Sequence, residues 1–137
     1  MNIFIKSSLF LVIVFSVVLL AGCDRKVDFQ VSPAVPAATA KGKVSKDRND
    51  NTVVEFTVRN LASPERLTPS RNYYVVWIQP PGQFPENRGQ LIVNNKLSGK
   101  KSITTPHREF DVFITAEDTL TGTVPAGEQI MRASPRR

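Results

Sequence analysis

The chain has 137 residues, a formal charge of +6, and one cysteine, one histidine and one tryptophan. That length holds one small domain and a targeting segment and excludes two packed domains. A single cysteine excludes an intrachain disulfide.

Met1–Ser8 carries one charged side chain, Lys6, and Leu9–Leu20 then reads LFLVIVFSVVLL without a charge. A charged start, an apolar run of about 7–15 residues and small residues at its end describe an export signal. A spanning helix needs about 20 apolar residues, more than this run supplies. The ending Leu20-Ala21-Gly22-Cys23 resembles the bacterial lipobox. The small Ala21 and Gly22 let an extended backbone enter a signal peptidase, and the Cys23 thiol accepts a diacylglyceryl group. The expectation is a signal peptide over residues 1–22, cleavage before Cys23, and membrane lipid as the partner of the acylated Cys23. Several acyl chains there make a stable anchor, where one alone is marginal. Asp24 beside the lipid site resembles an inner-membrane retention signal. The expected location is therefore the cell membrane, facing its extracytoplasmic side.

Only Lys6 lies within residues 1–22, so the mature chain keeps a charge of +5. Its basic residues are scattered and partly interleaved with acids, which reads as solvated strand faces and turns. Attraction to an anionic leaflet is the main rival, and export argues against a nucleic-acid partner.

Residues 23–40 contain Pro33, Pro36 and a run of small side chains. They read as a tether with a reach of roughly 20–25 Å, carrying a short strand where Val27, Phe29 and Val31 alternate with polar neighbours. Residues 41–137 are expected to form the domain. Val54, Phe56 and Val58 alternate with Glu55, Thr57 and Arg59, and Asp47–Asn51 is a turn that folds this strand back onto Gly42–Lys46. Tyr73–Ile78 reads YYVVWI, suited to a central strand buried on both faces. Leu91–Val93 stops at the turn pair Asn94-Asn95. Leu97–Thr105, Phe110–Thr115 and Glu128–Ala133 supply the remaining strands. About seven short strands separated by turns predict an all-β, immunoglobulin-like β-sandwich, with Trp77 buried between its sheets.

In chain order, Tyr74-Val75-Val76-Trp77-Ile78, Gly89-Gln90-Leu91, Val112-Phe113-Ile114-Thr115-Ala116-Glu117 and Pro125-Ala126-Gly127 form a series of motifs over roughly residues 50–132. This series resembles the extracytoplasmic carboxy-terminal domain of anti-sigma-K-type anti-sigma factors, with Val112 where that pattern has phenylalanine. The resemblance implies the sandwich fold and an extracytoplasmic setting. The sigma-binding domain and membrane span that precede such a domain have no counterpart in this sequence, where a lipobox stands instead.

No catalytic residue, metal ligand set or cofactor is expected. His107 sits between Pro106 and Arg108 with no nucleophile elbow to serve, although Ser102 and Asp111 are candidate partners for it. Glu117-Asp118 lacks enough oxygen ligands nearby for calcium. Glu109 and Asp111, on one strand face about 7 Å apart, lack a flanking cleft. The loop Pro80–Arg88 has three prolines and offers Phe84 and Arg88 as candidates for contact with an envelope protein. Phe84 is expected to cover an open end of the sandwich, because large aromatics tend to be buried, with presentation to a partner as the alternative. The function these features suggest is a non-catalytic, membrane-anchored interaction or envelope-structural module. The alternative is a sensory or accessory subunit of an envelope signalling system.

Overall fold

Alternation of apolar and polar residues sorts nine strands into two antiparallel sheets in the computed structural model, which describes residues 23–135. The expected signal segment, with Leu20, Ala21 and Gly22, lies outside the described residues. The strands are β1 (Arg25–Asp28), β2 (Gln30–Val31), β3 (Thr39–Lys46), β4 (Thr52–Arg59), β5 (Tyr73–Gln79), β6 (Glu86–Leu91), β7 (Gly99–Thr105), β8 (Asp111–Glu117) and β9 (Glu128–Ala133). One sheet has the order β1-β3-β4-β7 and the other β2-β9-β8-β5-β6. Strands β3 to β9 are the seven of an immunoglobulin-like sandwich: β4 passes to β5 in the opposite sheet, and β7 returns beside β4.

The core lies between the sheets. Val54, Phe56 and Val58 of β4 face Tyr74, Val76 and Ile78 of β5 and Val112, Ile114 and Ala116 of β8, all buried. Phe29 packs on Phe56 with ring centroids 5.0 Å apart. Full burial of each large apolar side chain is worth about 1.5–3 kcal/mol. The Asp47–Asn51 turn forms as its residues dictate: the Asp47 Oδ1 accepts backbone N–H bonds from Asn49 at 2.8 Å and Asn51 at 2.9 Å. Asn94 does the same work at the β6–β7 turn, accepting from Lys96 and Ser98.

Three features depart from expectation. The segment read as a tether belongs to the domain. Strand β1 adds to the edge of β3 and β2 to the edge of β9, and Val27, Phe29, Val35 and Ala38 are buried. Pro33 and Pro36 lie in two successive turns, closed by Val35 N–H on Ser32 O and Ala38 N–H on Val35 O. Only Cys23 and Asp24 precede β1 among the described residues.

Strand β6 ends at Leu91, where the sequence suggested a strand beginning. Its pairing with β5, Ile78 opposite Glu86 and Trp77 opposite Asn87, takes up residues expected in the loop. Finally, Trp77 is buried but not between the sheets. With Val75 and Phe113 it forms a separate cluster on the outer face of the five-stranded sheet, packed by Tyr73 and Leu120.

Candidate functional site

Strand registers gather three connections, the residues after β9 and Cys23 at one end of the sandwich. Lys46 stands opposite Thr52, and Thr52 opposite Thr105, so the β3–β4 turn and the β7–β8 loop share that end. Gln79 opposite Asp111 and Val112 opposite Ala133 bring the β5–β6 loop and the residues after β9 to it. Strand β1 starts there, with Arg25 opposite Val44. Cys23 is exposed, and with Arg25, Lys46, Thr52, Arg108 and Pro135 it lines a depression of ≈ 510 Å³.

Several charges at this end are paired with one another. Asp50 accepts from Arg108 Nη2 at 3.0 Å and pairs with Lys46, and these two cations hold its carboxyl below its ordinary range, Lys46 foremost. Asp47 is also lowered, by its bonds from the Asn51 side chain and backbone and the Asn49 N–H. His107 Nε2 lies 3.0 Å from Glu86 Oε1, and Arg88 pairs with the other Glu86 oxygen. The histidine contact, followed by the Arg88 charge, lowers the Glu86 carboxyl. Arg132 bonds Asp111 at 2.6 Å and lies over the Phe113 ring, 5.0 Å from its centroid. The Asp50–Arg108 pair, the adjoining His107 and its partner Glu86 thus lead from the depression beside Cys23 to the start of β6 and the β5–β6 loop.

That loop carries Phe84, which is 85% exposed. The expectation that Phe84 folds back over an open end is overturned. Its ring has no cover because Phe110, Val112 and Ala133 already close the core beneath this end. Gln83 N–H on Pro80 O, and the Gln79 side chain on Gln83 O, fix the turn that projects it. Arg88 is not a loop residue. It lies in β6 and is engaged with Glu86 rather than presented beside Phe84.

The structure also reveals a buried polar line that sequence reasoning missed. Trp77 Nε1 donates to Thr115 Oγ1 at 2.8 Å, and Thr115 Oγ1 donates to Glu117 Oε1 at 2.6 Å. Glu117, 6% exposed, also accepts the backbone N–H groups of Ala126 and Gly127 at 3.1 and 3.0 Å. The residue 118–127 connection closes over this face, tied by the Asn87 side-chain amide to Leu120 O and Gly122 O, each at 2.9 Å. Every residue in the line belongs to the motif series Tyr-x-x-Trp, Thr-x-Glu and Pro-x-Gly noted in the sequence. Their order along the chain was the available signal. Their task is to lock a connection onto a sheet, which is a fold role rather than a chemical one.

Other acid pairs separate. Glu117 turns inward under its connection while Asp118 pairs with Arg71 at 2.8 Å. Glu109 is exposed ahead of β8, so it shares no strand face with Asp111. His107 meets Glu86 rather than Ser102 or Asp111. Among the described residues no group of three or more His, Cys, Asp or Glu is placed to hold a metal ion.

On the outer face of the four-stranded sheet, Lys26, Lys41, Lys43 and Lys100 surround an open hollow of ≈ 850 Å³. Its charge is partly met within the face: Lys43 reaches Glu55 at 3.2 Å and Asp24 at 3.5 Å. Compared with known proteins, the chain matches no family model and no curated sequence.

Proposed function

We propose that this chain is an exported lipoprotein, cut before Cys23 and held to a membrane by lipid on that cysteine. Its β-sandwich serves as a non-catalytic interaction or envelope-structural module on the extracytoplasmic side. The observation that carries the reading is Leu20-Ala21-Gly22-Cys23 at the end of an uncharged apolar run. The start of folded structure at Arg25 supports it, because Cys23 stands exposed just outside the first strand. The inner-membrane location rests on Asp24 alone. A non-catalytic role is supported by the engagement of the titratable groups: His107 with Glu86, and Glu117 with backbone N–H groups.

Metabolic labelling with palmitate tests the anchor. The wild-type protein is expected to take up label and Cys23→Ala to take up none. Equal labelling of both would overturn the reading.

A second reading, an accessory subunit of an envelope signalling system, is favoured by the interlocked Trp77, Thr115, Glu117 and Gly127, the motif residues of the anti-sigma-like resemblance. Crosslinking and affinity capture of the lipidated protein from its own membrane tests it. A membrane sensor or sigma regulator among the captured proteins supports it, and capture of envelope-structural proteins alone counts against it.

A further inference from the structure

Phe84 and Cys23 occupy the same end of the sandwich, although 61 positions separate them in the chain. The geometry points to this end as a membrane-contacting surface on which Phe84 enters the lipid interface beside the anchored cysteine. The inference rests on the lipoprotein reading and extends it from a point of attachment to a defined orientation.

Three observations argue for lipid as the occupant. First, there is no long spacer: β1 begins at Arg25, so a lipid on Cys23 holds this end against the bilayer surface. Second, Phe84 is the most exposed of the large hydrophobic residues among the described residues, ahead of Ile92 at 69% and Val124 at 57%. It is held out by a proline-bounded turn, so the ring loses little further freedom on insertion. An aromatic ring fits the boundary between headgroups and acyl chains.

Third, several of the surrounding charges are satisfied locally. Asp50 has Lys46 and Arg108, Glu86 has Arg88 and His107, and Asp111 has Arg132. These pairs lower the charge to be desolvated on approach to headgroups, and the exposed Arg48 of the β3–β4 turn can keep its guanidinium in the headgroup layer. Insertion should therefore depend on the apolar ring more than on anionic lipid. The lysine-rimmed hollow lies on the outer face of a sheet and so faces sideways from this end, away from the bilayer plane. Ile92 lies at the opposite end, beyond Leu91, and serves as an internal control.

The experiment uses full-length protein produced in bacteria, purified from membranes and reconstituted into phosphatidylcholine vesicles with and without brominated acyl chains. Wild type, Phe84→Trp and Ile92→Trp are compared, with the wild-type signal giving the contribution of buried Trp77. The added emission of Phe84→Trp should be blue-shifted and lose intensity in brominated vesicles, while that of Ile92→Trp should remain open to aqueous acrylamide. The quenching by brominated lipid should persist at high salt. An indole at position 84 that is quenched by acrylamide and untouched by brominated lipid overturns the inference. The intact mass of the same preparation reports acylation of Cys23 separately. An unacylated Phe84→Trp protein that brominated lipid still quenches would remove the anchor chemistry and leave the orientation standing. An acylated one that brominated lipid does not quench would do the reverse.

Discussion

Glu117 Oε2 accepts the backbone N–H of Gly127 at 3.0 Å, and this bond holds two stretches of chain in contact that a side chain would force apart. A Cβ on Gly127 would lie 1.7 Å from the Ala116 carbonyl oxygen. The glycine is thus required by close approach of backbone to backbone, and the carboxyl group satisfies the donors that this approach buries.

Gly127→Ala should consequently destabilise the domain by about 3 kcal/mol, since neither the β8 carbonyl nor the β9 entry can retreat without breaking ladder bonds. Chemical denaturation monitored by Trp77 emission measures this. Gly122→Ala is the contrast: its nearest neighbour would be 3.4 Å away, and it should be nearly neutral.

Glu117→Ala leaves the Ala126 and Gly127 N–H groups and the Thr115 hydroxyl without their acceptor. A loss of about 2–3 kcal/mol is expected. Glu117→Gln should recover only part of it, because its amide carries donors where two N–H groups already point. Full stability in Glu117→Ala would show that the residue 118–127 connection closes without this carboxyl group.

These residues also mark the boundary of what the sequence discloses. Period-two alternation identified β4 because its two faces differ in polarity, Val54, Phe56 and Val58 against Glu55, Thr57 and Arg59. In β5 both faces are apolar, so alternation could not tell which side of the sheet Trp77 takes. The face was decided by a connection more than forty residues away that folds back over it. The N-terminal strands were hidden for a related reason. Strand β1 has little apolar content of its own and is held by pairing with β3, a partner the local pattern around Pro33 and Pro36 does not announce. At the candidate site, the lipobox-like Leu20-Ala21-Gly22-Cys23 was legible as a contiguous stretch. The common end shared by Cys23 and Phe84 required the strand registers.

Leu120 packs on the Trp77 cluster from the connection that covers it. Leu120→Ala should loosen that cover, raise acrylamide quenching of Trp77 and shift its emission to the red, at a stability cost of about 1 kcal/mol. As Trp77 is the only tryptophan, the signal is unambiguous. Unchanged quenching would place the protection in the sheet itself.

Tyr74 lies in the core with its hydroxyl donating to Ala62 O at 2.7 Å, and burial, reinforced by the Glu65 charge, pushes its pKa up to about 12. The folded state therefore keeps a proton that the unfolded chain releases near its ordinary value of 10. Stability contributed by Tyr74 should be full below pH 10 and decline as the pH rises toward 12. Ultraviolet titration of phenolate should show the Tyr74 step only at this alkaline extreme, and Tyr74→Phe should delete that step.

The acid side is set by carboxylates at the Cys23 end, Asp50 and Glu86 in ion pairs and Asp47 in bonds from Asn49 and Asn51. Asp47, Asp50 and Glu86 all have lowered folded pKa values, so the native state binds fewer protons than the unfolded chain over the acid range. Their contribution is complete above the ordinary carboxylate values of 3.8 and 4.5, and is lost as the pH falls through the lowered folded values. Because these groups are exposed, the loss should be gradual and weakened by salt. Protonation frees Arg108 from Asp50 and His107 from Glu86, so the first loosening should occur in the β3–β4 turn and the β7–β8 loop, before the core opens. Amide hydrogen exchange at acid pH should locate early opening at residues 47–51 and 106–109. Asp50→Asn combined with Glu86→Gln should flatten the acid dependence. Early opening at the opposite end instead, around Asn94, would mean that these pairs do not govern the acid response.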